Sequence, residues 1–363
     1  MTVKIYFEKD GNLDILKSYN IGIIGYGNVA KAYALNFRDS GIEVKIATHH
    51  EEYKKRAERD EFTPLSIPEL IIESDIIFFL VADDDIAGIY EEFIQPNLKK
   101  SMIFVFSSGY PVIYEEIHLP SDCTAILITT RIPGAAIREK YLNYDSFFSL
   151  VGIHQDPTRV AEDLMLALTL AIGGLKLPAV KISFAQQITM QLFAEQTFSY
   201  VMAQILIRSV ENLVENGYPA ESIMVEQVLS GEGGFTMDKA IEVGMMKQMN
   251  FHSHTSQYGQ MSRGIKFRSL SKDVEKIQRR ILQEIVDGEF IAEWKEEKSK
   301  VLLQTMKFYF EHSKFAEIEQ KVRQNLGFRK LQTFTPATLP EESIKDLYLE
   351  DEVVKIKEFY GGI

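Results

Sequence analysis

Cysteine is almost absent from this 363-residue sequence: Cys123 is the only one. One thiol can build neither an intrachain disulfide nor a thiolate metal cluster, which suits a reducing compartment. Cys123 sits with the apolar run T-A-I-L-I-T, which reads as a strand. Long apolar runs are also missing. No stretch reaches the roughly 18 uninterrupted apolar residues of a membrane span, and the start M-T-V-K-I-Y-F-E-K-D has neither the basic nor the apolar region of a secretory leader. The expectation is an unsecreted, cytoplasmic protein without a membrane partner. Positive charge is scarce: Lys and Arg number 40 against 52 Asp and Glu, a net charge of -12. The basic runs are short and interleaved with Glu, which argues against a nucleic-acid partner but leaves room for one small basic pocket.

What is present suits two domains. The chain exceeds the length at which single cores stop growing, and 45% of it is hydrophobic. From Asn20 to Ile153 short apolar runs alternate with amphipathic stretches, the pattern of β-α units around a parallel sheet. The expected strands are Ile21–Ile24, Val44–Ala47, Ile76–Val81, Ile103–Ser107, Ala125–Thr129 and Phe147–Ile153. After Gly173-Gly174 the texture turns to Gln, Glu, Met, Leu and Ala at helical spacing, notably over Ile182–Asn216 and Ser271–Asn325. The reading is an α/β Rossmann domain over residues 1–180, an all-helical dimerisation and active-site domain over 181–330, and a C-terminal extension over 331–363. Thr333–Ile363, with Pro336 and Pro340, reads as an extended segment and a short helix.

The run I-G-I-I-G-Y-G-N-V-A-K-A places Gly25, Gly27 and Ala30 between the first strand and the first helix, a G-x-G-x-x-A fingerprint in its required context. Gly25 permits the tight turn, Gly27 lets backbone approach a diphosphate, and Ala30 lets helix and strand pack closely. Tyr26, Asn28 and Val29 share this turn, whose free N–H groups and helix end favour an anion. The second strand ends in A-T-H-H-E-E. Hydroxyl and basic groups (Thr48, His49, His50) precede Glu51, which favours the 2′-phosphate of NADPH and leaves NADH open. Ala82, Ser108 and Gly109 complete the expected cofactor contacts. The charges of Lys54, Lys55 and Arg56 read equally well as a solvated helix face.

Several segments resemble the short form of the ketol-acid reductoisomerase family: I-G-Y-G-N-V-A-K-A-Y-A-L-N-F, I-P-G-A-A-I-R-E-K-Y, G-I-H-Q-D, Q-L-F-A-E-Q, S-H-T-S-Q-Y-G and D-G-E-F-I-A-E-W, collinear from residue 3 to about 326. The resemblance implies a Rossmann domain plus a knotted helical domain, a homodimer with interlocked helical domains and shared active sites, NADPH, and two magnesium ions that support an alkyl migration before reduction. The chemistry-bearing positions depart from the family. Where its bridging Asp stands, this chain has Gln191, although Glu195 is kept. Ser108 replaces its His, Arg131 in R-I-P-G replaces its Lys, and Ser253 matches the serine that holds substrate carboxylate. Of a second carboxylate pair, Glu226 is followed four residues on by Ser230, with Glu232 beyond.

An amide supplies no anionic charge to offset two divalent cations. The expectation is therefore no metal site, magnesium doubtful, and an NAD(P)H-dependent reductase of a small carboxylate-bearing imine or 2-oxo acid without the migration. Glu195, Ser108, Arg131, Ser253 and Gln191 are its catalytic candidates. If Glu195 is buried beside Gln191 its pKa should rise, making it a proton donor. A genuine reductoisomerase with altered ligands and a non-catalytic dinucleotide-binding protein are the alternatives. His252 and His254 lack a third ligand at zinc spacing, V-G-M-M-K-Q-M reads as helix packing, and His154 reads as structural.

Overall fold

In a computed structural model, residues 3–328, with Val354, Lys357 and Phe359, are described. The extension expected over 331–363 lies, those three residues apart, outside the described residues. The chain divides into two compact units, Met1–Gln191 and Leu192–Ile363. The division falls inside a helix and not at the change of sequence texture near residue 180, because that helix begins by packing on the sheet: Phe184, Gln187 and Ile188 are buried.

The first unit is one nine-stranded sheet. Its strands are β1 (Ile5–Tyr6), β2 (Ile21–Ile24), β3 (Val44–Ala47), β4 (Pro64–Leu65), β5 (Ile76–Phe79), β6 (Ile103–Phe106), β7 (Thr124–Thr129), β8 (Ser149–Gln155) and β9 (Ala179–Lys181). They lie in the order β1-β9-β8-β7-β6-β5-β2-β3-β4. From β4 to β7 the neighbours are parallel, and β2 pairs with both β3 and β5 in register from Ile21. Residues of β2, β5, β6 and β7 are buried throughout, as strands covered by helices on both faces must be. All six expected strands are present within two residues at their ends. β1, β4 and β9 are not predicted by the pattern, since two or three residues carry no period. Cys123 stands just before β7, buried and unpaired.

The covering helices are α1 (Asn28–Asp39), α2 (Glu51–Arg59), α3 (Ile67–Glu73), α4 (Asp83–Ile89), α5 (Tyr110–Ile113), α6 (Gly134–Leu142) and α7 (Ala161–Ala171). α3 shows why they start where they do: Ser66 and Glu69 form a reciprocal capping box with a proline in the first turn. The chain leaves β2 toward β3 on one side and returns to β5 on the other. This reversal opens a crevice at the carboxyl ends of β2 and β5, where open α/β sheets bind ligands.

The second unit is helical. After α8 (Phe184–Ala194), a π-helical turn (Glu195–Ser199) leads into α9 (Tyr200–Glu215), then α10 (Ala220–Met224), a second π turn (Val225–Leu229), α11 (Glu232–Val243), α12 (His254–Gly264), α13 (Arg268–Val286), α14 (Glu289–Trp294), α15 (Glu297–Glu311) and α16 (Lys314–Asn325). The run expected over Ser271–Asn325 is thus several helices: Gly288 at φ 80° separates α13 from α14, and Ser313 caps α16. The buried cluster of this unit is small, formed by Val210, Ile223, Met224 and Val322. No helix among the described residues is long and apolar enough to cross a membrane.

Candidate active site

The glycine turn after β2 is rigid underneath and open above. Gly25 has φ +105°, and a Cβ there would lie 2.3 Å from the carbonyl oxygen of Leu80. Its N–H donates to Ala47 O at 2.8 Å. A Cβ at Gly27 would meet nothing within 4 Å, so that backbone is approachable, and Ala30 is buried as close helix packing requires. The Tyr26 side chain points inward: it is fully buried and its hydroxyl donates to Asp60 Oδ2 at 2.9 Å. Only its backbone faces the cleft. Lys31 Nζ lies 2.7 Å from the same carboxylate, and Arg38 donates to Asp60 O at 2.8 Å. Burial pushes the Asp60 carboxyl up, but hydrogen bonds from Lys31 and Tyr26 and the charges of Lys31 and Arg38 outweigh it and hold it below its usual range. Nothing in the sequence pattern marks Asp60.

A cavity of about 120 Å³ adjoins this turn, lined by Gly25, Tyr26, Gly27, Thr48, His50, Tyr53, Ala82 and Asp85 among others. Thr48 Oγ1 accepts from the His50 N–H at 3.3 Å, holding the tip of β3. The His49 and His50 rings lie 3.9 Å apart. Asp85, from the first turn of α4, joins them: ligand atoms of His49, His50 and Asp85 all lie within 4.8 Å of one another. No metal-ligating group is expected from the sequence, and this trio arises because β3 and α4 border one crevice. Lys54 and Arg56 pair with Glu51 and Glu52 on α2.

Beyond Ala82 a larger cavity of about 410 Å³ is lined by Val29, Tyr33, Asp83, Ser107, Ser108, Thr129, Thr130, Arg131 and Gln191 among others. Arg131 sits at the corner after β7 with φ 48°, a left-handed conformation that costs a non-glycine residue about 1–3 kcal/mol. The corner closes at Gly134, where a Cβ would come 2.0 Å from the Asn28 carbonyl oxygen. Tyr33 is fully buried, its hydroxyl near Thr130 Oγ1 at 3.5 Å, and burial pushes its phenol well above the usual range. Ser108 Oγ accepts from the Tyr110 N–H at 3.2 Å.

Gly109, expected at the cofactor, has its N–H turned away. It donates to Gln187 Oε1 at 2.7 Å, and Gln187 Nε2 donates to Gln191 Oε1 at 2.8 Å. Gln187 is 1% exposed. It is not among the candidates drawn from the sequence, although two glutamines four apart share one helix face and that spacing is legible. Asp83 and Tyr33 are likewise additions that only the fold supplies.

Glu195, Glu226 and Ser253 belong to the second unit. Glu195 opens the first π turn and is exposed, so burial beside Gln191, the condition set for it as a proton donor, is not met within one chain. Glu226 occupies the second π turn, and Ser230 Oγ accepts from the Glu232 N–H at 3.3 Å. Ser253 is the N-cap of α12, accepting from Ser256 N–H at 3.2 Å. His154, exposed on β8, has its ring 5.4 Å from that of Phe184. Asn28 and His49 do not line either cavity.

Comparison with known proteins agrees with this architecture. The family profile "Acetohydroxy acid isomeroreductase, NADPH-binding domain" matches residues 15–177, and "Ketol-acid reductoisomerase, C-terminal domain" matches 184–327. A ketol-acid reductoisomerase (NADP(+)) of Methanopyrus kandleri is 32% identical over 90% of this chain and 99% of its own length. This chain belongs to the ketol-acid reductoisomerase family. A ketol-acid reductoisomerase (NADP(+)) of Pyrococcus abyssi is 30% identical over the same share of each chain. The solved structure of an NADH-preferring ketol-acid reductoisomerase from an uncultured archaeon superposes with TM-score 0.82 at 26% identity, covering 88% of this chain and 98% of that one. As a member of the ketol-acid reductoisomerase family, the chain is an NAD(P)H-dependent oxidoreductase with a Rossmann-like sheet domain followed by a helical domain. The open backbone at Gly27 and the cavities on either side of Ala82 fit such a dinucleotide.

Proposed function

We propose that this member of the family reduces a small carboxylate-bearing imine or 2-oxo acid with NADPH and does not perform the magnesium-dependent alkyl migration. One observation carries the reading: the residue standing where the family places a bridging carboxylate is Gln191, and its only carbonyl oxygen already accepts a hydrogen bond at 2.8 Å from Gln187. Two divalent ions need several anionic oxygens to offset their repulsion, and this position offers an uncharged amide whose oxygen is turned toward Gln187. A magnesium pair does not fit there.

What remains suits hydride delivery, which asks for a bound nicotinamide, an oriented acceptor and a proton source. The dinucleotide supplies the hydride when bound along the Gly25–Gly27 turn. Arg131 holds a substrate carboxylate, for which its planar guanidinium is suited. Ser108 and Tyr33 border the same cavity, and Tyr33 stays a protonated hydroxyl at neutral pH. Thr48 and His50 hold the 2′-phosphate from the cavity lining, with His49 stacked against His50 at its rim, while Asp85 brings an acid to the same edge and keeps NADH in play. Glu195, Glu226 and Ser253 act from the helical unit.

We infer further that two copies pair through their helical units. Large apolar side chains are left open there, with Ile241 at 79%, Met246 at 80% and Ile265 at 72% exposure, more than isolated surface residues account for. Pairing would also cover Glu195, as its proton-donor role needs.

The test is NADPH oxidation with 2-oxo acids and cyclic imino acids in EDTA. Turnover unaffected by the chelator is expected. Strict magnesium dependence with 2-acetolactate would instead establish a complete reductoisomerase, the reading that the names of the relatives favour.

A further inference from the structure

Gln187 touches neither cavity, yet it decides which end of Gln191 the larger cavity receives. The backbone of Gly109 is the fixed point, because its N–H can only donate. It must meet an acceptor, and at 2.7 Å that acceptor is Gln187 Oε1. The other end of the Gln187 side chain is then an NH2 group, which only donates, and 2.8 Å away lies Gln191 Oε1. With its oxygen turned to Gln187, Gln191 has its Nε2 on the other side, with no partner among the described residues although Gln191 lines the cavity. Gln187 is 1% exposed, so water does not compete for the middle of this chain of hydrogen bonds, and reversing it would leave two buried donors facing each other.

We propose that Gln187 is a positioning residue: through it, the backbone of Gly109 fixes Gln191 with its N–H toward the cavity, so that the substrate is one that presents an acceptor oxygen, a carboxylate or carbonyl, to Gln191 Nε2. This rests on the reductase reading and deepens it. Arg131 at the same cavity then gives a substrate carboxylate a second donor, while Asp83, also in the lining, disfavours a second anion. The same arrangement turns partial positive charge toward any cation entering there.

The test is Gln187→Glu. An ionised carboxylate only accepts. One oxygen keeps the Gly109 N–H, the other can only receive from Gln191, and Gln191 must therefore rotate and show Oε1 to the cavity. Protonating the introduced carboxylate restores the donor and the original orientation. Oxalate serves as probe, bound to the NADPH-loaded protein and measured by calorimetry between about pH 8 and pH 5.5. The charged groups that share the cavity lining with Gln191 (Asp83 and Arg131), the Tyr33 phenol, and Glu195 four residues on are unchanged, so the variant is read against wild type at each pH.

Expected is a loss of oxalate affinity on the order of ten- to a hundredfold at the alkaline end, recovering toward wild type in acid. Gln191→Leu leaves the Gly109 bond untouched, so it should lose the same affinity at every pH. Gln187→Glu binding oxalate like wild type across the range, or Gln191→Leu with undiminished affinity, overturns the proposal, and the second arm holds even if the first variant does not fold. A wild type that binds oxalate in this donor-dependent way, yet reduces no oxo acid or imine, would sink the proposed function and leave the positioning role standing.

Discussion

Replacing Asp60 with alanine tests whether the glycine turn is held from below. The carboxylate receives the Tyr26 hydroxyl at 2.9 Å and Lys31 at 2.7 Å. Lys31 is 37% exposed at its side chain, so water takes over much of its role and its share is small. Tyr26 is fully buried, and a buried hydroxyl stripped of its partner costs about 1–3 kcal/mol. The two together give about 2–3 kcal/mol, which for a cooperative unit the size of Met1–Gln191 lowers the melting temperature by about 4–12 °C. Asp60→Asn keeps an oxygen for Tyr26 and gives up only the charge, so it should cost no more than about 1 kcal/mol.

Calorimetric melts of both variants, with KM for NADPH beside them, make the assay. KM should rise several-fold in the alanine variant alone, because Tyr26 stands between the two glycines. The acid dependence has a definite sign. The folded-state pKa of Asp60 lies below the unfolded one, so its contribution is complete above the usual carboxylate range and disappears as pH falls through the folded value. The gap between wild type and the asparagine variant should therefore be flat near neutrality and close in acid. Equal melting of the alanine variant and wild type would refute the anchoring argument, and so would equal damage from both substitutions.

Three further outcomes follow from the geometry. Gly25→Ala adds a methyl group 2.3 Å from the Leu80 carbonyl oxygen at φ +105° and should abolish NADPH binding in a titration followed by nucleotide fluorescence; retention of nanomolar to micromolar binding would show the turn to be adaptable. His49→Ala with His50→Ala should raise KM for NADPH by about tenfold, as loss of phosphate contacts implies, and leave KM for NADH nearly unchanged; an equal effect on both cofactors would remove the histidines from the 2′-phosphate. Burial, aided by the neighbouring Asp122, pushes the Cys123 thiol up to about 11, so at pH 8 a disulfide reagent should label it only after denaturant is added, and rapid labelling of the native protein would contradict its burial.

The sheet is legible in the sequence because parallel strands buried on both faces leave uninterrupted apolar runs, such as I-I-F-F and I-F-V-F, bounded by turn residues. The nucleotide turn is legible because only glycine fits at position 25. The rest of the site is not, since it depends on which residues topology brings to one rim. Asp60 reaches Tyr26 from the far end of α2, and Asp85 meets the histidines across the crevice. At Gly109 proximity along the chain misleads: it stands beside Ser108, but its N–H is spent on Gln187. The substitution at 191 is visible as a lost charge, while the orientation of the new amide is set by Gln187, whose partner Gly109, just past the end of β6, no spacing rule reveals.

The close approach at Gly134 ties two events together in time. With 2.0 Å between its missing Cβ and the Asn28 oxygen, the Arg131 corner rests directly on the first residue of the helix that receives the diphosphate. A shift of that helix start on nucleotide binding would be passed to the corner, and the expected order is nucleotide first and the acid second. Initial-rate patterns would then show an ordered sequence, with the oxidised coenzyme leaving last.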